Sequence, residues 1–207
     1  MERKSLFFQQ DLHFWLLDIG FEQVVRENTG YIFHRKKDDT CLVIDTIICE
    51  LSDYPYVTYT SRQNELMAAH DRVFRFLFDQ ASYSTAMQQE IRMFLDGDSD
   101  HEQIRRFGGN RAEQEPDPTL PEATFEDCFL EAFGDQARMG LHREFASVDL
   151  AGTIRYIDYA LFAKFAKFAI ELNGENFHHP VVIGAKKYRS QLFKQNSLVA
   201  DGFKVFR

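Results

Sequence analysis

One stretch of the chain divides it into two parts. Residues 96–118 (DGDSDHEQIRRFGGNRAEQEPDP) are rich in Asp, Glu, Gly and Pro and have almost no apolar periodicity. Such a composition buries little surface and is typical of an exposed linker. We therefore predict an N-terminal domain over residues 1–95 and a C-terminal domain over residues 119–207. We recognise no internal repeat in the sequence.

The excess of acidic residues lies in the first of these parts. The net charge is −8; residues 1–118 hold 13 Lys and Arg against 21 Asp and Glu, whereas residues 119–207 hold 11 of each. A neutral domain with clustered cations can still hold a phosphate backbone locally. The acidic balance of the whole chain therefore does not exclude nucleic acid as a partner.

The cysteines and the apolar runs indicate a compartment. Cys41, Cys49 and Cys128 are odd in number and form no CxxC pair, so neither a disulfide framework nor a structural zinc site is expected. The N-terminus lacks the continuous apolar segment of a signal peptide. No stretch reaches the roughly 18 apolar residues that a membrane span needs. We expect a cytoplasmic protein without a membrane anchor.

The N-terminal part has an α+β pattern. Apolar spacing predicts helices over residues 5–19, 61–79 and 82–95, and strands over residues 21–25, 31–35 and 41–49. His13, His34 and His70 are scattered with no ligand spacing, and we interpret them as ordinary histidines. No catalytic constellation is recognised in this part, and its role stays open.

The C-terminal part alternates helix and strand differently. The pattern predicts, in order, a helix over Pro121–Phe133, strands over His142–Ala146, Ile154–Phe162 and Phe168–Asn173, a helix over 185–200, and a strand over Phe203–Phe206. Thr119 and Glu122 have the spacing of a capping box before the first helix. This order predicts an α/β core in which helices pack around a mixed sheet.

Acidic residues interrupt two of these apolar strands. Asp158 lies within YIDYA, where a carboxylate is costly to bury unless it is paired or bound to metal. Glu171 and Asn173 lie within IELNG and project to one face of their strand. If the two strands are neighbours, Asp158 and Glu171 converge near one end of the sheet. Two carboxylates and an amide oxygen form a plausible site for a hard cation such as Mg²⁺. For each residue alone, a solvated strand face is the commoner outcome.

Residues 119–207 resemble PD-(D/E)xK nucleases of the very-short-patch-repair-like and DUF559-like restriction endonuclease branch. The resemblance rests on Glu126 in FEDCFLEAF, Asp158 in YIDYA and Glu171 in IELNGENFHH, followed by the helix KKYRSQLFKQNSL and the strand DGFKVFR. It implies a restriction-endonuclease-like fold and a metal-dependent DNA endonuclease. Asn173 departs from the pattern, since these families mostly carry Asp or Lys there.

The resemblance also implies roles for individual residues. Asp158, Glu171 and Asn173 would ligate Mg²⁺, with Mn²⁺ able to substitute, and Glu126 would be a further acidic group of the site. His178 would act as acid or base. Lys187, or else Lys164, would supply the missing lysine, and Lys187 is preferred. Four residues of the basic helix would contact nucleic acid: Lys186, Arg189, Lys194 and Gln195. A solvated helix face is an equally common explanation for the basic residues.

Three functions remain open at this point. The first is an active endodeoxyribonuclease in phage defence, repair or mobile-element biology, as a homodimer or as part of a larger helicase–nuclease. The second is an inactive nuclease fold that only holds DNA, which Asn173 favours. The third is a protein-interaction module that works through the acidic N-terminal part. Metal binding separates the first from the others, and salt-dependent DNA binding separates the second from the third.

Overall fold

The computed structural model describes residues 11–27, 30–45, 56–78, 84–96, 118–172 and 180–207. These residues form a mixed α/β protein with two four-stranded mixed sheets and helices around them. No helix in the described ranges is long and apolar enough to cross a membrane. Almost all of the predicted linker lies outside the described residues, so the domain boundaries stay a prediction.

The first sheet is built from residues 22–77. The elements are helix α1 (residues 11–18), β1 (Glu22–Glu27), β2 (Gly30–Arg35), a 3₁₀ turn (Lys36–Asp38), β3 (Thr40–Asp45), α2 (Tyr56–Ala69), β4 (Arg72–Leu77) and α3 (Ser84–Asp96). The strand order is β1-β2-β3-β4. Neighbours are antiparallel except for β3 and β4, which are parallel and joined through α2.

The helix predicted over residues 61–79 is wrong beyond Ala69, because residues 72–77 form strand β4. The sequence there is RVFRFL, and residues 73–77 are all buried. A strand buried on both faces reads as a continuous apolar run, which periodicity alone does not separate from a buried helix. Pairing with β3, a contact distant in sequence, decides for the strand.

The second sheet has the predicted order of elements, with one short helix added, Asp135–Arg138, that the sequence pattern did not predict. The elements are α4 (Leu120–Phe133), α5 (Asp135–Arg138), β5 (Leu141–Val148), β6 (Ile154–Phe162), β7 (Lys167–Ile170), α6 (Pro180–Ala200) and β8 (Phe203–Phe206). The strand order is β5-β6-β7-β8, with only β7 and β8 parallel.

Local signals fix the ends of two helices in this part. The backbone N–H of Thr119 donates to Oε2 of Glu122 at 2.6 Å, which is one half of the predicted capping box and starts α4. Gly184 has a φ of 76° and a ψ of 161°, so α6 is regular only from Ala185 onward, as predicted.

The two sheets share one hydrophobic core. A single cluster of buried side chains includes residues of both parts, among them Leu42, Phe74, Ile157 and Val205. Helix α6 packs against β4, and helix α2 packs against β8. The two predicted domains are therefore in direct contact, and neither covers its apolar surface by itself.

Candidate functional site

The ladder between β6 and β7 brings two carboxylates together. Tyr159 pairs with Ile170 at the end of this antiparallel ladder, so the next step sets Asp158 opposite Glu171. In addition, Oδ2 of Asp158 accepts a hydrogen bond from the backbone N–H of Leu172 at 2.7 Å. The sequence pattern predicted that Glu171 lies inside its strand. In the structure β7 ends at Ile170, so Glu171 lies just past the end of the strand.

Glu171 is a buried carboxylate beside one cation. The residue is 7% exposed, and its Oε1 lies 2.6 Å from Nζ of Lys194 on helix α6. Burial raises the pKa of Glu171 above its ordinary value; the charge of Asp158 adds to the rise, and Lys194 opposes it. The carboxylate form is therefore costly in this position and favours a bound cation.

The cation of this site is not the lysine that the sequence suggested. Lys187 is exposed on α6, seven residues and about 10 Å of helix rise before Lys194. Lys194, predicted to contact phosphate, instead pairs with Glu171 and donates to the backbone O of Tyr156 at 2.5 Å. Position 194 carries no local signal for this role, since the contact joins a helix to a strand end.

Glu126 is held elsewhere. Its Oε1 accepts a hydrogen bond from the hydroxyl of Tyr159 at 2.7 Å. Burial, helped by Glu126, raises the pKa of that phenol. Because side chains alternate along β6, Tyr159 and Asp158 project to opposite faces of the sheet. Glu126 therefore lies on the face of the sheet opposite the Asp158–Glu171 pair.

The structure describes two of four other predicted site residues. Asn173 and His178 lie outside the described residues. Lys186 is exposed on α6, whereas Arg189 donates from Nη2 to the backbone O of Leu77 at 3.4 Å.

Gln195 requires a correction. It is 1% exposed, and its Oε1 accepts a hydrogen bond from Nε2 of Gln63 at 3.3 Å. The side chain is buried between the two sheets' helices, so in this structure it cannot reach a nucleic acid base or phosphate.

A strained backbone residue adjoins the carboxylate pair. Arg143 pairs with Tyr159 and Phe145 pairs with Ile157, which sets Glu144 opposite Asp158. Glu144 has a φ of 48°, in the left-handed region that non-glycine residues rarely adopt. Such outliers cluster at functional sites, where the surrounding structure holds them in place.

A second group of ligating side chains lies in the first sheet, where the sequence suggested only ordinary histidines. Oδ1 of Asp39 is 2.8 Å from Nε2 of His34 and 2.9 Å from Nδ1 of His70. Among the described residues this is the one set of three such side chains close enough to share a metal ion. The 3₁₀ turn and the β3–β4 pairing bring positions 34, 39 and 70 together, which no spacing in the sequence shows.

Hydrogen bonds stabilise the ionised form of the Asp39 carboxyl group. The bond from His70 lowers the pKa of this carboxyl to about 2, and the bonds from His34 and from the backbone N–H of Asp71 act in the same direction. Two imidazoles and one carboxylate are ligands that suit Zn²⁺ and other transition metals. The same contacts equally serve to tie β2 to the turn before β4.

Comparisons with protein-family models, with curated proteins and with solved structures found no match to this chain. The functional argument therefore depends on the residues of the chain itself.

Proposed function

We propose that this protein is a metal-dependent phosphodiesterase that hydrolyses DNA internally, with its site at Asp158, Glu171 and Lys194. The observation that carries the proposal is the meeting of two carboxylates from neighbouring strands with a lysine from α6, at one end of the second sheet. Burying a carboxylate such as that of Glu171 is costly unless it is paired or bound to a metal.

The residues fit a divalent metal. Carboxylate oxygens are the ligands that Mg²⁺ and Mn²⁺ prefer. The pKa of Glu171 is raised chiefly by burial and further by Asp158, so a cation between them would relieve both effects. A buried Glu171 beside a half-buried Asp158, with charges that repel each other, supports a metal at this position.

The chemistry divides among the groups as follows. A bound divalent ion supplies a Lewis acid that polarises a phosphate oxygen and lowers the pKa of a water molecule. Asp158 is oriented by the backbone N–H of Leu172, which donates to its Oδ2, so Oδ1 is the oxygen that would ligate the ion. Lys194 is placed to stabilise the negative charge that develops on the phosphate.

DNA is the proposed substrate for two reasons. The order of α4, three strands, α6 and β8 agrees with the pattern of the PD-(D/E)xK nucleases that residues 119–207 resemble. In addition, Lys186 and Lys187 are exposed on the helix that also carries Lys194, where they can contact a phosphate backbone. The neutral charge of this part of the chain favours contact with phosphates over the acidic first part.

The test is cleavage of supercoiled plasmid with Mg²⁺ or Mn²⁺ by the full chain. We expect wild type to cleave, and Asp158→Asn and Glu171→Gln to lose at least a hundredfold in rate. Asp127→Asn is the matched control, because Asp127 is an exposed carboxylate on α4. Equal rates for Glu171→Gln and Asp127→Asn would refute the site.

Metal binding is measured separately, by calorimetry with Mn²⁺. We expect Asp158→Asn and Glu171→Gln to abolish one binding event that His70→Gln leaves intact. If only His70→Gln abolishes binding, the metal belongs to the group around Asp39. If wild type binds DNA in a salt-dependent way but neither binds metal at Glu171 nor cleaves, the protein is a DNA-binding module that has kept the fold.

A further inference from the structure

The two sheets have the same topology. Each follows a helix and contains two antiparallel hairpin steps, a crossover helix, and a last strand parallel to the third. The first set is α1-β1-β2-β3-α2-β4. The second is α4-α5-β5-β6-β7-α6-β8, in which the short helix α5 is an addition. We call these sets the first unit and the second unit.

A sequence repeat accompanies the repeated topology, so the expectation of no internal repeat is wrong. Residues 62–75 read RQNELMAAHDRVFR, and residues 194–207 read KQNSLVADGFKVFR. They align without a gap and are identical at seven of fourteen positions. Each segment covers the end of the crossover helix and most of the last strand of its unit. Internal similarity placed at equivalent structural positions is the mark of a repeated unit.

The two segments also contact each other reciprocally. The side chain of Asn196 accepts from the backbone N–H of Arg75 at 2.9 Å and donates to the backbone O of Arg75 at 2.8 Å. The side chain of Asn64 makes the same two bonds with the backbone of Arg207, at 3.0 and 2.5 Å. In the alignment Asn64 matches Asn196, and Arg75 matches Arg207.

Such reciprocity is the property of a twofold interface, in which residue i contacts j and j contacts i. The matched residues Gln63 and Gln195 bond to each other, as residues on a twofold axis do. The helices obey the same rule, since α2 packs on β8 and α6 packs on β4.

We propose that this chain is a duplicated unit folded as a built-in dimer, in which the first unit replaces a second copy and carries no phosphodiesterase site. The pseudo-twofold contacts establish the pairing of the units. The register of the strands then shows what the first unit holds at the positions of Asp158 and Glu171.

The alignment of the last strands, β4 and β8, shows which residues of the third strands, β3 and β7, are equivalent in the two units. Val73 of β4 matches Val205 of β8 in the aligned segments. Val73 pairs with Cys41 on β3, and Val205 pairs with Ala169 on β7. Cys41 is therefore equivalent to Ala169.

Two residues further along, Val43 is equivalent to Glu171. Val43 pairs with Ile32 on β2, just as Glu171 faces Asp158, so Ile32 is equivalent to Asp158. Ile32 and Val43 are 3% and 6% exposed and belong to the hydrophobic core. The first unit thus has two apolar side chains where the second has its carboxylate pair.

The carboxylate that remains on β3 is not available for metal. Asp45 is 2% exposed, and its Oδ2 accepts hydrogen bonds from Nη2 of Arg75 at 2.9 Å and from the hydroxyl of Tyr188 at 3.2 Å. Its charge is already matched by a buried guanidinium. The surface of the first unit that a second copy would cover is occupied by α6 of the second unit.

A consequence for the reaction follows, and this step depends on the proposed function. Enzymes that cut both DNA strands at once need two phosphodiesterase centres, and the part of the built-in dimer that the structure describes has one candidate, at Asp158 and Glu171. The protein should act as a monomer that breaks one strand per binding event, so its product is nicked duplex DNA. The expectation of a homodimer is thereby replaced.

The experiment combines mass with product analysis on one preparation. Light scattering over a hundredfold concentration range should give 24.2 kDa throughout. Plasmid in excess should accumulate as nicked circles, with linear DNA only after repeated hits. Adding a tenfold excess of Asp158→Asn protein should leave the rate unchanged, because no active species contains two chains.

Each other result overturns part of the proposal in a recognisable way. A mass of two chains, or linear DNA formed together with nicked circles, refutes the built-in dimer. Loss of activity on mixing with the Asp158→Asn protein, beyond that caused by an inert protein, refutes it as well. If wild type does not cleave, the proposed function fails, and the mass alone still decides whether the first unit takes the place of a second copy.

Discussion

The ion pair between Glu171 and Lys194 allows the candidate site to be tested through stability alone. Replacing Lys194 with Met removes the ammonium group and keeps most of the apolar stem. Glu171 is then a buried carboxylate without the cation that lies 2.6 Å from its Oε1. We expect Lys194→Met to lower the free energy of unfolding.

The exposure of the two side chains sets the size of this effect. Removing one partner of a fully buried pair costs about 3–5 kcal/mol. Here the side chains of Glu171 and Lys194 are 9% and 21% exposed, so solvent screens part of the charge and we expect a loss of about 2 kcal/mol. In a Glu171→Gln background the same substitution should cost less, about 1 kcal/mol, because only the hydrogen bond to the backbone O of Tyr156 is then lost.

The contribution of Glu171 to the free energy of unfolding depends on pH with a definite sign. Burial raises the pKa of Glu171, so the stability contributed by the neutral carboxyl is complete below its ordinary value of 4.5 and is lost as the pH rises through the raised value. Glu171→Gln should therefore be more stable than wild type at pH 7, by on the order of 1 kcal/mol. The cost of Lys194→Met should shrink as the pH falls and the carboxyl takes up a proton.

The assay is urea unfolding of wild type, the two single variants and the double variant at several pH values. A loss from Lys194→Met that is equal in both backgrounds would show that the ion pair contributes nothing. A Glu171→Gln protein that is less stable than wild type at pH 7 would mean that the carboxylate supports the fold. In that case the buried charge would no longer argue for a metal.

Four further outcomes are expected. Asn196→Ala removes two hydrogen bonds to the buried backbone of Arg75 and should cost about 2–4 kcal/mol in urea unfolding. A loss below about 0.5 kcal/mol would contradict the interface described above. Asp39→Asn should lower the free energy of unfolding by about 1 kcal/mol at pH 6, since its side chain is 37% exposed and its charge is screened. In a pH series this difference from wild type should disappear as the pH falls from 4 to the pKa of Asp39, about 2. Tyr159→Phe should lower the free energy of unfolding by about 1 kcal/mol, because it removes the hydrogen bond to Glu126. Glu126→Gln should keep the rate of plasmid cleavage within a few-fold of wild type, because this bond lies on the face opposite the carboxylate pair.

The second unit shows how much local signals can predict. Its order of helices and strands follows from periodicity, and β6 and β8 begin and end where the pattern places them. The meeting of Asp158 with Glu171 was also predictable, since consecutive antiparallel strands set their residues opposite each other. Both properties depend on contacts within about twenty residues of chain.

The first unit shows where such signals end. Strand β4 was mistaken for helix because its burial depends on β3, thirty residues earlier, and on α6, more than a hundred residues later. The group around Asp39 has the same cause, because His70 reaches it only through the parallel register. Neither partner can be inferred from the residues beside it.

The sequence by itself determined the α/β class, the elements of the second unit, and the two carboxylates that define the candidate site. Only the tertiary structure decided that Lys194 and not Lys187 is the cation of that site, and that Gln195 is buried against Gln63. It also decided that two diverged units face each other across a pseudo-twofold axis. The physical reason is that side-chain alternation and helical periodicity act over a few residues, whereas pairing of charges and docking of units depend on positions that folding brings together.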